Sequence, residues 1–414
     1  MLCYNYELTK ICQLWPFMIH EIRVSNFYSV RDEVVLDLRT SSNAPDLPRF
    51  RTSASRTDVR LPALVSIYGP NASGKSTIIR ALTSTIHFAC YSFDQPIDSE
   101  IMNFQPFMAK NMMSEPTRIV VEFDAPWIDD EYHLFRYELS INNPGSFTGK
   151  SVAYEALSYA PHGRWRRVLE RKEGKRIFAV KEFGLRPRDS KLEPPRPNCS
   201  MIATLAKFNV PLAIRIWQDL ANVQSNVFGH VMFAPDIDGL LVHYRDYPEI
   251  LERLNKELRR IDVGIREMRI ETTKTGMQAY FEHEGFAATI LLHEESAGTR
   301  HFIQIFPSLN YVLETGQIAL IDEFDCFLHP ELMREIFSWF WSLERNPKNA
   351  QLIITSHNTS LMDELEKEEL FFTEKRKNGA TELFGAQDIK GLRREPKMQK
   401  KYLSGALGAL PRIG

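Results

Sequence analysis

The sequence predicts an α/β fold with a mixed sheet, an antiparallel β subdomain and a helical insertion. Three observations support this. Short apolar runs at Leu64–Tyr68, Gln317–Ile321 and Gln351–Thr355 suit buried strands, and the first passes through a Gly-rich turn into helical spacing from Lys75 to about Cys90. Between 118 and 183, runs at Ile119–Phe123, Phe135–Ile141, Ala153–Ala160, Trp165–Glu170 and Ile177–Phe183 are separated by turn residues, as in antiparallel strands. Residues 200–228 and 247–268 carry apolar groups at helical spacing.

In chain order, Met18 precedes a first strand at Ile19–Val24, and the pattern to Leu38 suits strand, turn and strand, with Asn26 and Ser29 near the bend. Residues 1–17 are expected to be an extension outside the core, or Met18 the true start. A first lobe, with the antiparallel β subdomain, spans 18–184. A Pro-rich linker and the helical insertion occupy 185–275, too short for a long coiled-coil arm. A second lobe covers 276–388, with a helix from about Pro330 to Leu343, and a basic tail covers 389–414.

Composition narrows the function classes. The 414 residues hold 51 Lys+Arg against 53 Asp+Glu, so no global field calls for a nucleic-acid or membrane partner. The five cysteines, Cys3, Cys12, Cys90, Cys199 and Cys326, are scattered and lack CxxC spacing, which argues against a disulfide framework or zinc site and fits a reducing cytoplasm. No apolar run approaches the roughly 20 residues that span a bilayer, and the N-terminus lacks the form of a signal peptide.

Gly69-Pro70-Asn71-Ala72-Ser73-Gly74-Lys75-Ser76, followed by Thr77, matches GxxxxGK[ST] between a strand and a helix. Its glycines admit phosphate close to the backbone, and N–H groups at a helix start favour the anion. Lys75 offers charge to the β- and γ-phosphates of ATP, and the Ser76 hydroxyl can ligate Mg²⁺. Ile318–Ile321 is a buried strand ending in Asp322, suited to hold Mg²⁺ through water, and Glu323, suited to orient and deprotonate a water. His357, after the strand Gln351–Thr355, suits a switch that senses the γ-phosphate.

Glu294-Glu295-Ser296-Ala297-Gly298-Thr299-Arg300 precedes a helix, and Ser296 and Gly298 resemble the ABC signature, which grips the γ-phosphate bound to another subunit. An ordinary N-cap accounts for the same residues. On the signature reading one chain cannot close its own site, and ATP joins a dimer. Gln105 is either a Q-loop glutamine reaching Mg²⁺ and the attacking water or a plain loop residue. Asp325 and His329 stand where a D-loop would contact an opposing subunit, though a strand-to-helix turn with Pro330 at its first position explains much of that segment. The basic stretches Arg164–Arg176 and Lys390–Lys401 read as solvated faces or as phosphate-backbone or partner contacts.

Together these motifs resemble the SMC/RecF-like branch of ABC ATPases, beginning with Ile22–Glu33, which is similar to that branch's opening strand and turn. The resemblance implies a P-loop ABC-ATPase head that binds ATP and Mg²⁺, hydrolyses ATP and forms a homodimer or a higher homo-oligomer built from dimers. More narrowly, Gly69–Thr77, Phe104–Phe107, Asp322–Phe324 with Leu328–Pro330, Thr355–Asn358 and the ending Gln399–Pro411 are similar to abortive-infection ATPases of anti-phage systems, the RloA- and AriA-like proteins. Ala406-Leu407 replaces the Arg–aromatic pair usual in that ending. The narrower likeness implies a sensor and scaffold that responds to a phage-encoded trigger and controls a separate toprim-type nuclease. A RecF-like DNA-binding repair ATPase is the alternative, with DNA as partner; no membrane is implied.

Overall fold

The computed structural model describes residues 17–410 apart from 129–130, 146–148, 174, 187, 194, 228–236, 262–263, 275 and 395–396. The chain opens with the antiparallel pair β1 (Ile19–Ser25) and β2 (Val34–Asp37), followed by a small ribbon of β3 (Phe50–Thr52) and β4 (Arg60–Pro62). β5 (Leu64–Tyr68) then leads through residues 69–74 into α1 (Lys75–Tyr91). Next come β6 (Thr117–Pro126), β7 (Tyr132–Asn142), β8 (Ser151–Ala160), β9 (Arg166–Lys172) and the short β10 (Phe178–Ala179). These five join β2 and β1 in an antiparallel sheet of order β10-β9-β8-β7-β6-β1-β2, the subdomain expected from short runs separated by turn residues.

The middle of the chain forms α2 (Met201–Lys207), α3 (Pro211–Ala221), β11 (Gln224–Ser225), α4 (Ile237–Asp246) and α5 (Pro248–Ile261). A three-stranded sheet of β12 (Ile265–Thr273), β13 (Gly276–His283) and β14 (Ile290–Leu291) precedes α6 (Ala297–Thr315). β15 (Ile318–Ile321), α7 (Pro330–Trp341), β16 (Gln351–Thr355), β17 (Leu370–Lys375), β18 (Thr381–Gly385) and α8 (Met398–Leu403) complete the described chain. The central sheet has the order β11-β15-β16-β5-β17-β18, parallel except for the β17–β18 hairpin.

Why its strands read as continuous apolar runs is visible in the packing. Val65, Ile67, Ile318, Leu320 and Ile353 join one core with α1 and the antiparallel sheet. Their neighbours Leu64, Tyr68, Ala319, Ile321, Leu352 and Ile354 join a second core with α4 to α8. Successive strand residues point to opposite faces, so burial of both faces removes the polar alternation. α1 lies between the sheets, against β15 and β16 on one side and β1 and β6 on the other.

The fold class is as expected; several segments differ from the sequence reading. Phe17, assigned to an extension outside the core, is 1% exposed, packs against Phe123 and donates its N–H to Gly316 O at 3.0 Å. Residues 1–16 lie outside the described part. The helical spacing read through 268 ends earlier, because β12 begins at Ile265 and pairs with β13, so a boundary at 275/276 falls inside a hairpin. The stretch treated as a basic tail is partly core: Met398, Tyr402, Leu407 and Ala409 are buried, and Tyr402 stacks on Phe372 with centroids 5.6 Å apart.

Candidate functional site

The loop between β5 and α1 has the shape its composition requires. Gly74 stands at φ 111 and Ala72 at φ 60, conformations that turn successive N–H groups toward one side. The loop is also clasped from outside. Ser73 Oγ lies 2.6 Å from Thr373 Oγ1, and Thr381 Oγ1 donates to Ser73 O at 2.8 Å. Thr381 also meets Ser29 Oγ at 2.8 Å, and Ser29 in turn lies 3.0 Å from Thr77 Oγ1. A Cβ on Gly74 would strike Thr381 Oγ1 and lie 2.7 Å from its Cγ2. Glycine is therefore required here by contact as well as by φ.

Lys75 is buried, and its ammonium donates to Gly69 O at 2.9 Å and Pro70 O at 3.1 Å, with His357 Nδ1 at 3.5 Å. Desolvation lowers its pKa, opposed by Asp322, Asp325 and Glu323.

β15 places the acidic pair. Thr355, at the end of neighbouring β16, donates its hydroxyl to Asp322 Oδ1 at 2.5 Å and accepts Glu323 N–H at 2.8 Å. Asn226, just past β11, pairs with the Asp322 backbone through two bonds of 2.8 Å. Glu323 is held at φ 52 and leaves its carboxylate exposed. Asp325 turns back to accept the His357 N–H at 3.0 Å, which ties the two strand ends together.

A cavity of about 960 Å³ collects Asn71, Ala72, Gly74, Lys75, Ser76, Thr77, Glu323 and His357, and this volume suits a nucleotide-sized ligand. Gln105 lines it too, with Pro106, Phe107 and Met108. Its carbonyl accepts Tyr28 N–H at 2.7 Å, while its buried Oε1 makes no hydrogen bond. Hard oxygen donors suit Mg²⁺. Ser76 and Gln105, with its unpartnered Oε1, line the cavity, whereas Asp322, held by Thr355, is not among the lining residues.

Ser296 and Gly298 do not line this cavity. Ser296 caps α6, accepting Thr299 N–H at 3.0 Å, and both residues face a separate cavity of about 300 Å³ with Phe327 and His329. A Cβ on Gly298 would lie 2.7 Å from Phe327 O, so glycine is needed for the acidic turn to pack against α6. His329 caps α7 by accepting Glu331 N–H at 3.2 Å.

Several arginines of the two basic stretches are engaged within the chain. Arg171 is buried on the carbonyls of Cys199 and Arg196, Arg167 meets Glu170, and Arg176 meets Glu193. Arg394 is clamped by Glu366 and Glu368. Sequence reasoning missed Thr373, Thr381, Lys375 and Asn226, and placed Ser29 only at a bend. None of these sits in a motif, and each reaches the site through strand order.

A family described as "AAA domain, putative AbiEii toxin, Type IV TA system" matches residues 207–363, a span that contains Ser296, Gly298, Asp322 and Glu323 but not the Gly69–Thr77 loop. No curated protein matches the chain. Among solved structures, an SMC head bound to the C-winged helix domain of ScpA aligns with TM-score 0.48 and 14% identity over 89% of this chain and 97% of that one. The SMC head domain from Thermotoga maritima aligns at TM-score 0.40 and 16% identity, covering 89% and 98%. A head domain with an extended coiled coil, bound to the C-terminal domain of ScpA derived from Pyrococcus furiosus, aligns at 0.43 and 12%, covering 94% and 99%. The chain therefore carries a segment similar to an AAA domain, set in a mixed α/β fold whose loop, acidic strand end and histidine share one cavity.

Proposed function

We propose that this protein is an ABC-type ATPase whose nucleotide site is completed by a second copy of itself. One observation carries the reading. Lys75, Ser76, Glu323 and His357 share one cavity, while Ser296 and Gly298 line another. A chain that keeps the signature away from its own P-loop needs a second copy to bring them together.

In this reading the backbone N–H groups of Gly69–Thr77 and the Lys75 ammonium hold the β- and γ-phosphates. Ser76, Asp322 and Gln105 would hold Mg²⁺, which neutralises phosphate charge when bound. Glu323 takes the proton of the attacking water, and His357 contacts the γ-phosphate. Ser296 and Gly298 act on the nucleotide held by the second copy, so ATP closes the dimer and hydrolysis reopens it. Mixing Lys75→Ala and Ser296→Arg proteins tests this. Each alone should be inactive, and the mixture should regain hydrolysis through the one site that keeps both parts. An inactive mixture of two folded variants, beside active wild type, would sink the shared-site reading.

For the biological output, we propose a sensor and scaffold subunit of an anti-phage, abortive-infection complex that restrains or releases a separate toprim-type nuclease. The matched description, which names the AbiEii toxin and a Type IV TA system, supports a defence setting. Pairing of Arg167, Arg176 and Arg394 with carboxylates of the same chain takes part of the basic stretches away from a DNA backbone. Tagged Glu323→Gln protein from its native locus should retain a stoichiometric nuclease. Recovery of nucleic acid with no protein partner would overturn the assignment.

A further inference from the structure

We infer that Lys375 is a second phosphate-binding cation of the cavity and engages the nucleotide on its nucleoside side, at the α-phosphate. The inference rests on the nucleotide reading above and adds a residue that no motif marks. Lys375 lines the same cavity as Lys75, Ser76 and Thr77, together with Gly379 of its own hairpin. Strand periodicity directs it there. On β17 the side chain of Thr373 bonds to Ser73 of the loop, and that of Glu374 points the other way, accepting the Ala409 N–H at 2.9 Å. Lys375 therefore returns to the Thr373 face.

Its position along the cavity follows from its strand partner. Lys375 sits opposite Thr381 in the β17–β18 register. Thr381 rests on Ser73 and Gly74 and reaches Thr77 through Ser29. This is the start of α1, on the flank of the loop held by the hairpin. Glu323 and His357 approach from the ends of β15 and β16, on the flank where the γ-phosphate would be attacked. The phosphate nearest Lys375 is then the one closest to the nucleoside.

The ammonium is also kept available. It donates to Gly379 O at 2.7 Å, a neutral backbone carbonyl, and folds over the hairpin turn. Burial lowers its pKa. The adjacent Arg376 is instead committed to Glu382 and Asp32. A half-buried ammonium on a weak partner can exchange that partner for a phosphate oxygen, a charge-assisted bond of greater strength.

The test is nucleotide binding without turnover. Isothermal titration would compare ADP and a non-hydrolysable ATP analogue, each with Mg²⁺, on wild type, Lys375→Met and Lys375→Arg. An α-phosphate contact is common to both ligands, so Lys375→Met should weaken both by about tenfold and to the same extent. Lys375→Arg should recover most of the loss, and the melting temperature without nucleotide should be unchanged. Unaltered affinity in Lys375→Met would overturn the inference. A loss confined to the triphosphate analogue would also overturn it, by moving the contact to the γ-phosphate. Failure of wild type to bind either nucleotide would instead overturn the nucleotide reading itself.

Discussion

Glu323 carries its backbone at φ 52, a left-handed conformation that a residue with a Cβ enters at a cost on the order of 1 kcal/mol. It is held there because Thr355 accepts its N–H and, through its own carbonyl, the N–H of Phe324. The strain aims a carboxylate into the cavity beside Lys75 instead of along the strand. Glu323→Gln keeps the turn and removes the base, so phosphate release should fall by at least about 100-fold while nucleotide affinity is retained. Equal turnover in that variant would remove Glu323 from the chemistry. Thr355→Val removes one hydroxyl that serves both acidic residues. Urea unfolding should show a loss of about 1–3 kcal/mol, because the Asp322 carboxylate and the Glu323 N–H lose their shared partner. The same variant should need more Mg²⁺ for half-maximal nucleotide binding.

At the scale of elements, the β17–β18 hairpin links distant parts of the chain. One face clasps the phosphate loop through Thr373 and Thr381; the other supports the C-terminal segment, where Glu374 holds Ala409 and Phe372 stacks on Tyr402. Gly74→Ala should therefore cost about 2 kcal/mol or more and abolish nucleotide binding, since the added methyl meets Thr381 in a conformation already unfavourable for alanine. Chemical denaturation and titration on one sample would check both effects. Tyr402→Ala should cost about 3–5 kcal/mol by opening a hole beneath the hairpin, whereas Tyr402→Phe should cost only about 1 kcal/mol for its bond to Ala409 O. Similar losses in the two variants would mean that the ring packs less than its burial implies.

Across the whole molecule, stability should depend on pH through buried carboxyls far from the cavity. Glu369 is fully buried, and desolvation raises its pKa to about 7 despite bonds from Arg49, Trp341 and the Glu366 N–H. Its folded pKa exceeds the ordinary 4.5, so the folded state holds the proton over a range where the unfolded state has lost it. This contribution is complete below about pH 4.5 and is lost as pH rises through 7. Asp219, raised to about 7 by burial, acts in the same direction. His243 acts oppositely at lower pH, because burial lowers its pKa to about 4 and the neutral ring favours the folded state as pH climbs toward 6.5. Glu369→Gln should flatten the decline in unfolding free energy between about pH 5 and 7, measured by urea titration at several pH values. An unchanged slope would show that Glu369 is already ionised in the folded chain.

The chemistry-bearing motifs were legible in the sequence because their physics is local. A glycine-rich turn between an apolar strand and a helix needs only its own residues to direct N–H groups at an anion, and an apolar run ending in Asp322 and Glu323 announces a buried strand with an exposed tip. Burial on both faces of β5, β15 and β16 made those strands continuous in sequence as well as in space. Other features depended on contacts hundreds of residues apart. Pairing of β17 with β5 brings Thr373 and Lys375 beside the loop, and Thr381, carried by the hairpin, touches a glycine that precedes it by some 300 residues. Phe17 and Tyr402 became core residues only because neighbouring surfaces closed over them. Separation of Ser296 and Gly298 from the cavity holding Lys75 was likewise decided by tertiary structure, since a capping serine looks the same in sequence whichever cavity it faces.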